Sequence, residues 1–253
     1  MERYDLVIIG AGPSGYAATM RAMDFRKKTL LIEKGRVGGA GVINGALSSK
    51  TWWEISREVR QFNKNLARYS LQRPKINFEE IQSEVRKAVK ERLWLLEDHL
   101  ELLQTSQEFG DLLHIKKGRA RLLNQHEIEI RTEEGTEIVY AEHVILATGS
   151  LPRKLPGIDV DEKSILTSDG IENIKDFPES IVIVGAGVVG CEYATIFAGF
   201  GKTNVFLIEK GDHILPFEDH DVVEVIEKNL EISGVEIHRR SKLVRLEKKR
   251  DGV

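Results

Sequence analysis

Apolar positions follow two rhythms along this chain. Short unbroken runs, LVII at 6–9, LLI at 30–32, IVIV at 181–184 and VFLI at 205–208, predict strands buried on both faces. Between 51 and 104 the rhythm lengthens to helical spacing, in TWWEISREVRQFNKNLARYS and NFEEIQSEVRKAVKERLWLLEDHLELLQ, with RPKIN separating the two helices. Ile81, Val85, Ala88, Val89 and Trp94 to Leu96 form the expected apolar face of the second helix, and Trp52, Trp53 and Trp94 read as core aromatics. Alternation then takes over in HIKKGRARLL, HEIEIRT and EIVYAEHVILATGS, with the turn signal EEGT, and predicts strands. GSLPRKLPGI at 149–158 reads as a linker. From 181 a second unit runs through a helix over 218–232 and a strand over 235–239, then stops in KKRDGV, where a turn would open a hairpin. The expected organisation is a first domain over 1–150 with a helical insertion at 50–106, a linker at 151–160, and an incomplete second domain over 161–253.

The two strand-rich units begin with the same pattern. LVIIGAGPSG at 6–15 returns as IVIVGAGVVG at 181–190, and TLLIEKG at 29–35 is answered by VFLIEKG at 205–211. Each copy is a strand, a glycine turn, a helix and a second strand closing on an acid, the start of a βαβ unit that binds a dinucleotide. In that geometry Gly10 and Gly185 permit the tight turn, Gly12 and Gly187 let backbone approach a pyrophosphate, and Gly15 and Gly190 let helix and strand pack closely. The helix N-terminus offers free N–H groups and a partial positive charge to the anion. Glu33 and Glu209 are placed to accept hydrogen bonds from an adenosine ribose.

Charge and composition narrow the partners. Thirty-seven Lys and Arg against 40 Asp and Glu give a net charge of −3, so no global basic field draws in nucleic acid. MERYDLVIIGAG lacks the basic start and long apolar stretch of a signal peptide, and no run approaches the length of a spanning helix, so a cytoplasmic location without membrane partners is expected. Cys191 is the only cysteine, which excludes an intrachain disulfide and any multi-cysteine metal site. His213 and His220, seven apart with acids between, read as solvated histidines, and no metal is expected.

Two dinucleotide motifs, GGAGVINGALSSK at 38–50 between them, and VILATGS before the second together resemble the two-dinucleotide flavoproteins, the pyridine nucleotide-disulfide oxidoreductase family. GAGVVGCEYATIFAGFG and KKGRARLLNQHEIEI look nearest to its soluble transhydrogenase branch, with dihydrolipoamide dehydrogenase also similar. The resemblance implies an α/β fold of two Rossmann-like three-layer domains, the second inserted in the first and here truncated. It implies FAD on the first unit, NAD on the second, and hydride passing from nicotinamide to flavin. By position, Gly10, Gly12, Pro13, Ser14, Gly15, Glu33, Lys34, Gly39, Lys50, Ala120, Thr148, Gly149 and Ser150 would hold FAD. Gly185, Gly187, Val188, Gly190 and Glu209 would hold NAD. Lys50 and Glu192 match an ion pair beside the flavin, where a cation stabilises the anionic reduced ring. A homodimer is expected where the family's C-terminal half is present.

Two departures shape the functional expectation. Where the family writes GGTCxNxGCxPSK, Gly41 and Ala46 occupy the cysteine positions, and neither side chain can attack a disulfide. Cys191 sits at a packing position. The expected activity is therefore hydride transfer between a nicotinamide nucleotide and FAD, and on to a non-disulfide acceptor, as in a transhydrogenase or diaphorase. NADP is the less favoured nucleotide, because Glu209 would repel its 2′-phosphate: like charges ~4 Å apart cost about 4 kcal/mol at an effective dielectric of roughly 20. The C-terminal half of the family pattern is the second departure, and it leaves an alternative, a non-catalytic relative that binds a nucleotide or a partner.

Overall fold

The computed structural model describes every residue except Lys154, Arg250 and Asp251, and all but the side chain of Ala67. In chain order the elements are β1 (Arg3–Ile9), α1 (Pro13–Asp24), β2 (Thr29–Glu33), α2 (Gly39–Val42), α3 (Ala46–Tyr69), α4 (Phe78–Thr105), β3 (Leu113–Lys117), β4 (Arg119–Leu122), β5 (Glu127–Arg131), β6 (Thr136–Leu146), β7 (Ser180–Val184), α5 (Val188–Phe200), β8 (Asn204–Ile208), α6 (His220–Ile232) and β9 (Val235–His238), with a 3-10 turn over Ser168–Asn173. The architecture is α/β with Rossmann-like βαβ units. Among the described residues, no helix is long and apolar enough to cross a membrane.

The chain divides into two compact units, Met1–Leu47 with Lys87–Leu151, and Ser48–Arg86 with Pro152–Val253. This differs from the boundaries read in the sequence, because residues 48–86 group with the second unit rather than with the first domain. The two ends of 48–86 each fall within a helix, early in α3 and within α4, where apolar periodicity continues without a break, while the third change of unit, after Leu151, falls in the stretch read as a linker. Lys154, within the expected linker, lies outside the described residues.

In the first unit a six-stranded sheet has the order β3-β2-β1-β6-β5-β4. The first four strands are parallel, and β5 and β4 continue antiparallel. β6 joins the two halves: Thr136 to Tyr140 pairs with β5, and Tyr140 to Leu146 pairs with β1. Val7, Ile8, Leu30, Leu31 and Ile32 are buried, which explains the unbroken apolar runs of β1 and β2. The register Leu6 to Ile9 against Thr29 to Ile32 places the ends of these strands, and hence Gly10 and Glu33, side by side.

The second unit has a parallel sheet of order β7-β8-β9. Its core gathers Trp52, Phe78, Val85, Phe197, Phe200 and Leu207. α5 buries Cys191, Tyr193, Ala194, Ile196, Phe197, Gly199 and Phe200, because it faces β8 on one side and α3 on another.

α4 corrects one expectation. Its buried stripe is Ile81, Val85, Leu93, Leu96 and Leu100, whereas Trp94 is 62% exposed and Leu95 49%. Each helical residue turns the side chain by about 100°, so turning Leu93 and Leu96 inward puts the two residues between them outside. Trp52 is buried and Trp53 half-buried, as core aromatics.

Candidate functional site: two glycine cradles

The three glycines of each turn lack side chains for three different reasons. Gly10 and Gly185 both adopt φ +104°, a conformation that a side chain resists. A Cβ on Gly15 would lie 1.8 Å from the carbonyl oxygen of Gly10, and one on Gly190 2.0 Å from that of Gly185. These four glycines are demanded by the fold itself. Gly12 and Gly187 are not: each precedes its helix as an uncapped N-cap with φ −70° or −74°, and a Cβ there would meet nothing within 4 Å. Their open space lies at the helix N-terminus, where N–H groups and the dipole favour an anion. The residues present fit the pyrophosphate of a dinucleotide in both copies.

Pro13 and Ser14 are exposed at the start of α1, and Val188 is 65% exposed at the start of α5. Thr148, Gly149 and Ser150 follow β6 and are exposed, with Gly149 at φ +70°. The turn they begin reaches the first cradle, since a Cβ on Gly10 would lie 2.3 Å from the Ala147 carbonyl oxygen and 3.3 Å from the Thr148 Cα. Ala120 is half-buried in β4, opposite Ile130. Lys34 is exposed and opens onto a cleft of about 770 Å³ shared with Lys117, Arg119 and Glu137.

The loop that follows β2 packs down on the first turn. Gly38 and Gly39 have φ +95° and +49°, and a Cβ on Gly39 would come within 3.1 Å of the Gly12 Cα. A Cβ on Gly41 would lie 2.4 Å from the Cγ of Pro13. A side chain at the position where the motif carries its first cysteine thus requires the Pro13 ring to shift. Ala46, at the second cysteine position, is exposed at the start of α3, and Ser48 and Ser49 after it are buried.

Within the second unit, the Lys50 ammonium meets Glu192 Oε1 at 2.5 Å. Ser56 holds their helices together, donating to the Ile196 carbonyl at 2.8 Å, while Gly199 leaves no space for a Cβ, which would fall 2.1 Å from the Ser56 hydroxyl. α3 and α5 therefore run side by side in the same sense, with Lys50 near Glu192 six residues before Ser56. The Lys50 side chain is mostly exposed and that of Glu192 mostly covered, so the carboxylate is the fixed member and the ammonium the reaching one.

Cys191 is buried and donates to the Ala186 carbonyl at 3.4 Å. Burial, with the charges of Glu209 and Glu227, pushes its thiol up to about 11, so it is held as an inert thiol. His213 and His220 meet edge to face, 6.3 Å between ring centroids; His213 Nδ1 bonds to the Ile214 carbonyl, and His220 lies near Glu224. Among the described residues no group of three or more His, Cys, Asp and Glu is placed to hold a metal.

These features can be set beside known proteins. The family model of the pyridine nucleotide-disulphide oxidoreductases matches residues 4–253. The chain belongs to this family. It is 35% identical over 246 residues to a dihydrolipoyl dehydrogenase of Bacillus subtilis, covering 96% of this chain and 52% of that protein. It is 31% identical over 236 residues to a soluble pyridine nucleotide transhydrogenase of Hahella chejuensis, covering 92% and 49%. The crystal structure of LpdA from Mycobacterium tuberculosis superposes with a TM-score of 0.80 at 26% identity, over 95% of this chain and 51% of that one. The chain spans about half the length of these relatives.

Sequence reasoning missed two kinds of contact. One is the seating of Gly41 on Pro13; the other ties the middle residue of each turn, Ala11 and Ala186, to the loop after the second strand, from Gly38 N–H to the Ala11 carbonyl and from Leu215 N–H to the Ala186 carbonyl, both 2.8 Å. The run of glycines at 38, 39 and 41 was a signal for the first, since close approach of backbone is a common reason for glycine. No residue type marks the second.

Proposed function

We propose that this chain carries the nucleotide-binding part of an oxidoreductase that moves hydride from NADH to FAD and on to an acceptor other than an active-site disulfide. The observation that carries the reading is the open space at Gly12 and Gly187, which neither backbone conformation nor packing requires. FAD, when bound, supplies the hydride-accepting chemistry. Gly10, Gly12, Pro13, Ser14, Gly15, Glu33, Lys34, Gly39, Lys50, Ala120, Thr148, Gly149 and Ser150 are the residues proposed to hold it, and Gly185, Gly187, Val188, Gly190 and Glu209 hold the nicotinamide nucleotide. Lys50 offers a positive charge to the negative charge that develops on reduction, and Glu192 fixes that ammonium. Glu209 is buried, with both oxygens accepting backbone N–H groups, which favours a 2′-hydroxyl over a 2′-phosphate and hence NAD over NADP. A second nicotinamide nucleotide, a quinone, a partner protein or oxygen are the acceptors that need no thiol.

The test is spectroscopic. Chain purified with FAD is expected to be yellow and to lose its visible flavin band under anaerobic NADH, and to lose it more slowly under NADPH. Lys50→Met and Glu192→Gln are each expected to slow the loss by ~10-fold or more. A colourless preparation that takes up no FAD supports a non-catalytic binding role, and faster bleaching by NADPH contradicts the part assigned to Glu209.

A further inference from the structure

The acids that close the two second strands are already engaged in the free chain. Glu33 Oε2 accepts the Ala11 N–H at 2.7 Å, and its Oε1 accepts the Gly35 N–H at 2.7 Å. Glu209 repeats both bonds, from Ala186 at 2.9 Å and Gly211 at 2.7 Å. Ala11 and Ala186 are fully buried, and their carbonyls are taken by Gly38 and Leu215. The residue before each, Gly10 or Gly185, donates to the second strand at Ile32 or Ile208, 2.8 Å in each copy. The middle peptides of both turns are thus held from either side.

Chance local spacing does not explain the repetition. Ala11 and Glu33 are 22 residues apart, Ala186 and Glu209 are 23. The extra residue is absorbed where it does no harm, in α5, which has 13 residues against the 12 of α1. Two segments of different length arrive at the same four bonds.

We infer that Glu33 and Glu209 are positioning residues: each carboxylate latches the middle peptide of its glycine turn to the loop after the second strand, and so aims the N–H groups that follow at an anion before any nucleotide arrives. The latch leaves the helix N-terminus free, since neither Gly12 nor Gly187 receives a side-chain cap. It is also compatible with a ribose contact, because each carboxylate oxygen has a second lone pair. Only its consequence for nucleotide affinity rests on the function proposed above; the latch belongs to the ligand-free chain.

Amide hydrogen exchange on the ligand-free full chain tests it. Glu209→Ala is expected to speed exchange at Ala186 and Gly211 by about tenfold or more, and Glu33→Ala to do the same at Ala11 and Gly35, since each loses the acceptor that protects it. Glu209→Gln and Glu33→Gln keep one acceptor oxygen on a side chain of the same shape, and each is expected to keep one of its two amides protected; they serve where an alanine variant does not fold. NADH and FAD affinities, measured by titration on the same variants, are expected to fall with the protection. Unchanged exchange at all four amides, with lower nucleotide affinity, overturns the latch and leaves a ribose contact alone. Faster exchange in a chain that binds neither nucleotide keeps the latch and removes the proposed function.

Discussion

The two glycine cradles share their turn and differ in their walls. In both, strand, turn, helix and closing acid take the same geometry, down to φ +104° at Gly10 and Gly185. The first is also enclosed by chain from elsewhere in its unit: the Ala147–Thr148 backbone lies against Gly10, and the 38–41 loop lies on Gly12 and Pro13. In the second, a Cβ on Gly185 would meet nothing within 4 Å among the described residues. What the copies share is local and repeats with the sequence. What separates them is long-range: chain distant in sequence packs against the first glycine of the first turn.

Alanine at the third glycine tests the shared part and gives the largest expected effect. Gly15→Ala and Gly190→Ala both drive a Cβ into a backbone carbonyl that cannot rotate away, and each is expected to cost ~3 kcal/mol or more, the upper end of overpacking. Equal losses in thermal unfolding support a common turn. The first glycine then separates the copies. Gly185→Ala carries only the cost of φ > 0, about 1–2 kcal/mol, while Gly10→Ala adds the Ala147 carbonyl and is expected to lose clearly more. Equal losses here would deny the first cradle its wall.

Gly41 comes next. Gly41→Ala and Gly41→Cys are expected to cost ~1–3 kcal/mol, and Pro13→Ala in the same chain to recover part of it, because removing Cγ and Cδ leaves only Cβ, at 3.8 Å. Additive effects would mean the two residues do not touch. The middle glycines give the smallest change in stability: Gly12→Ala and Gly187→Ala are expected to stay within ~0.5 kcal/mol of the parent while losing nucleotide binding.

An acid titration adds a last distinction. Burial raises the Glu209 carboxyl, but the N–H groups of Gly211, Ala186 and Lys210, with the Lys210 charge, outweigh it and hold the group below its ordinary value; its charge in turn helps to raise the Cys191 thiol. A lowered folded value lends stability that is complete above the ordinary carboxylate range and is lost as pH falls through the lowered one. Protection of the Ala186 amide is expected to persist to mildly acidic pH and then decline.

How much of this was legible depended on range. Within each copy the turn glycines, the acid and the two flanking strands stand within some 30 residues of one another, and their spacing encoded the fold of that copy. Lys50 and Glu192 are 142 residues apart, and only the family resemblance linked them. The seating of Gly41 on Pro13 and the ties from Gly38 and Leu215 depend on how loops settle after the strands have paired, which no local pattern records. Trp94 shows the limit in a single helix: apolarity alone placed it inside, and the phase set by Leu93 and Leu96 placed it outside.

The most direct measurement is the stoichiometry of dinucleotides on the full chain, by equilibrium dialysis with FAD and NADH present separately and together. Two independent cradles predict one FAD and one NADH per chain, neither displacing the other. Competition of the two for a single place, or a chain that retains neither, would contradict the account.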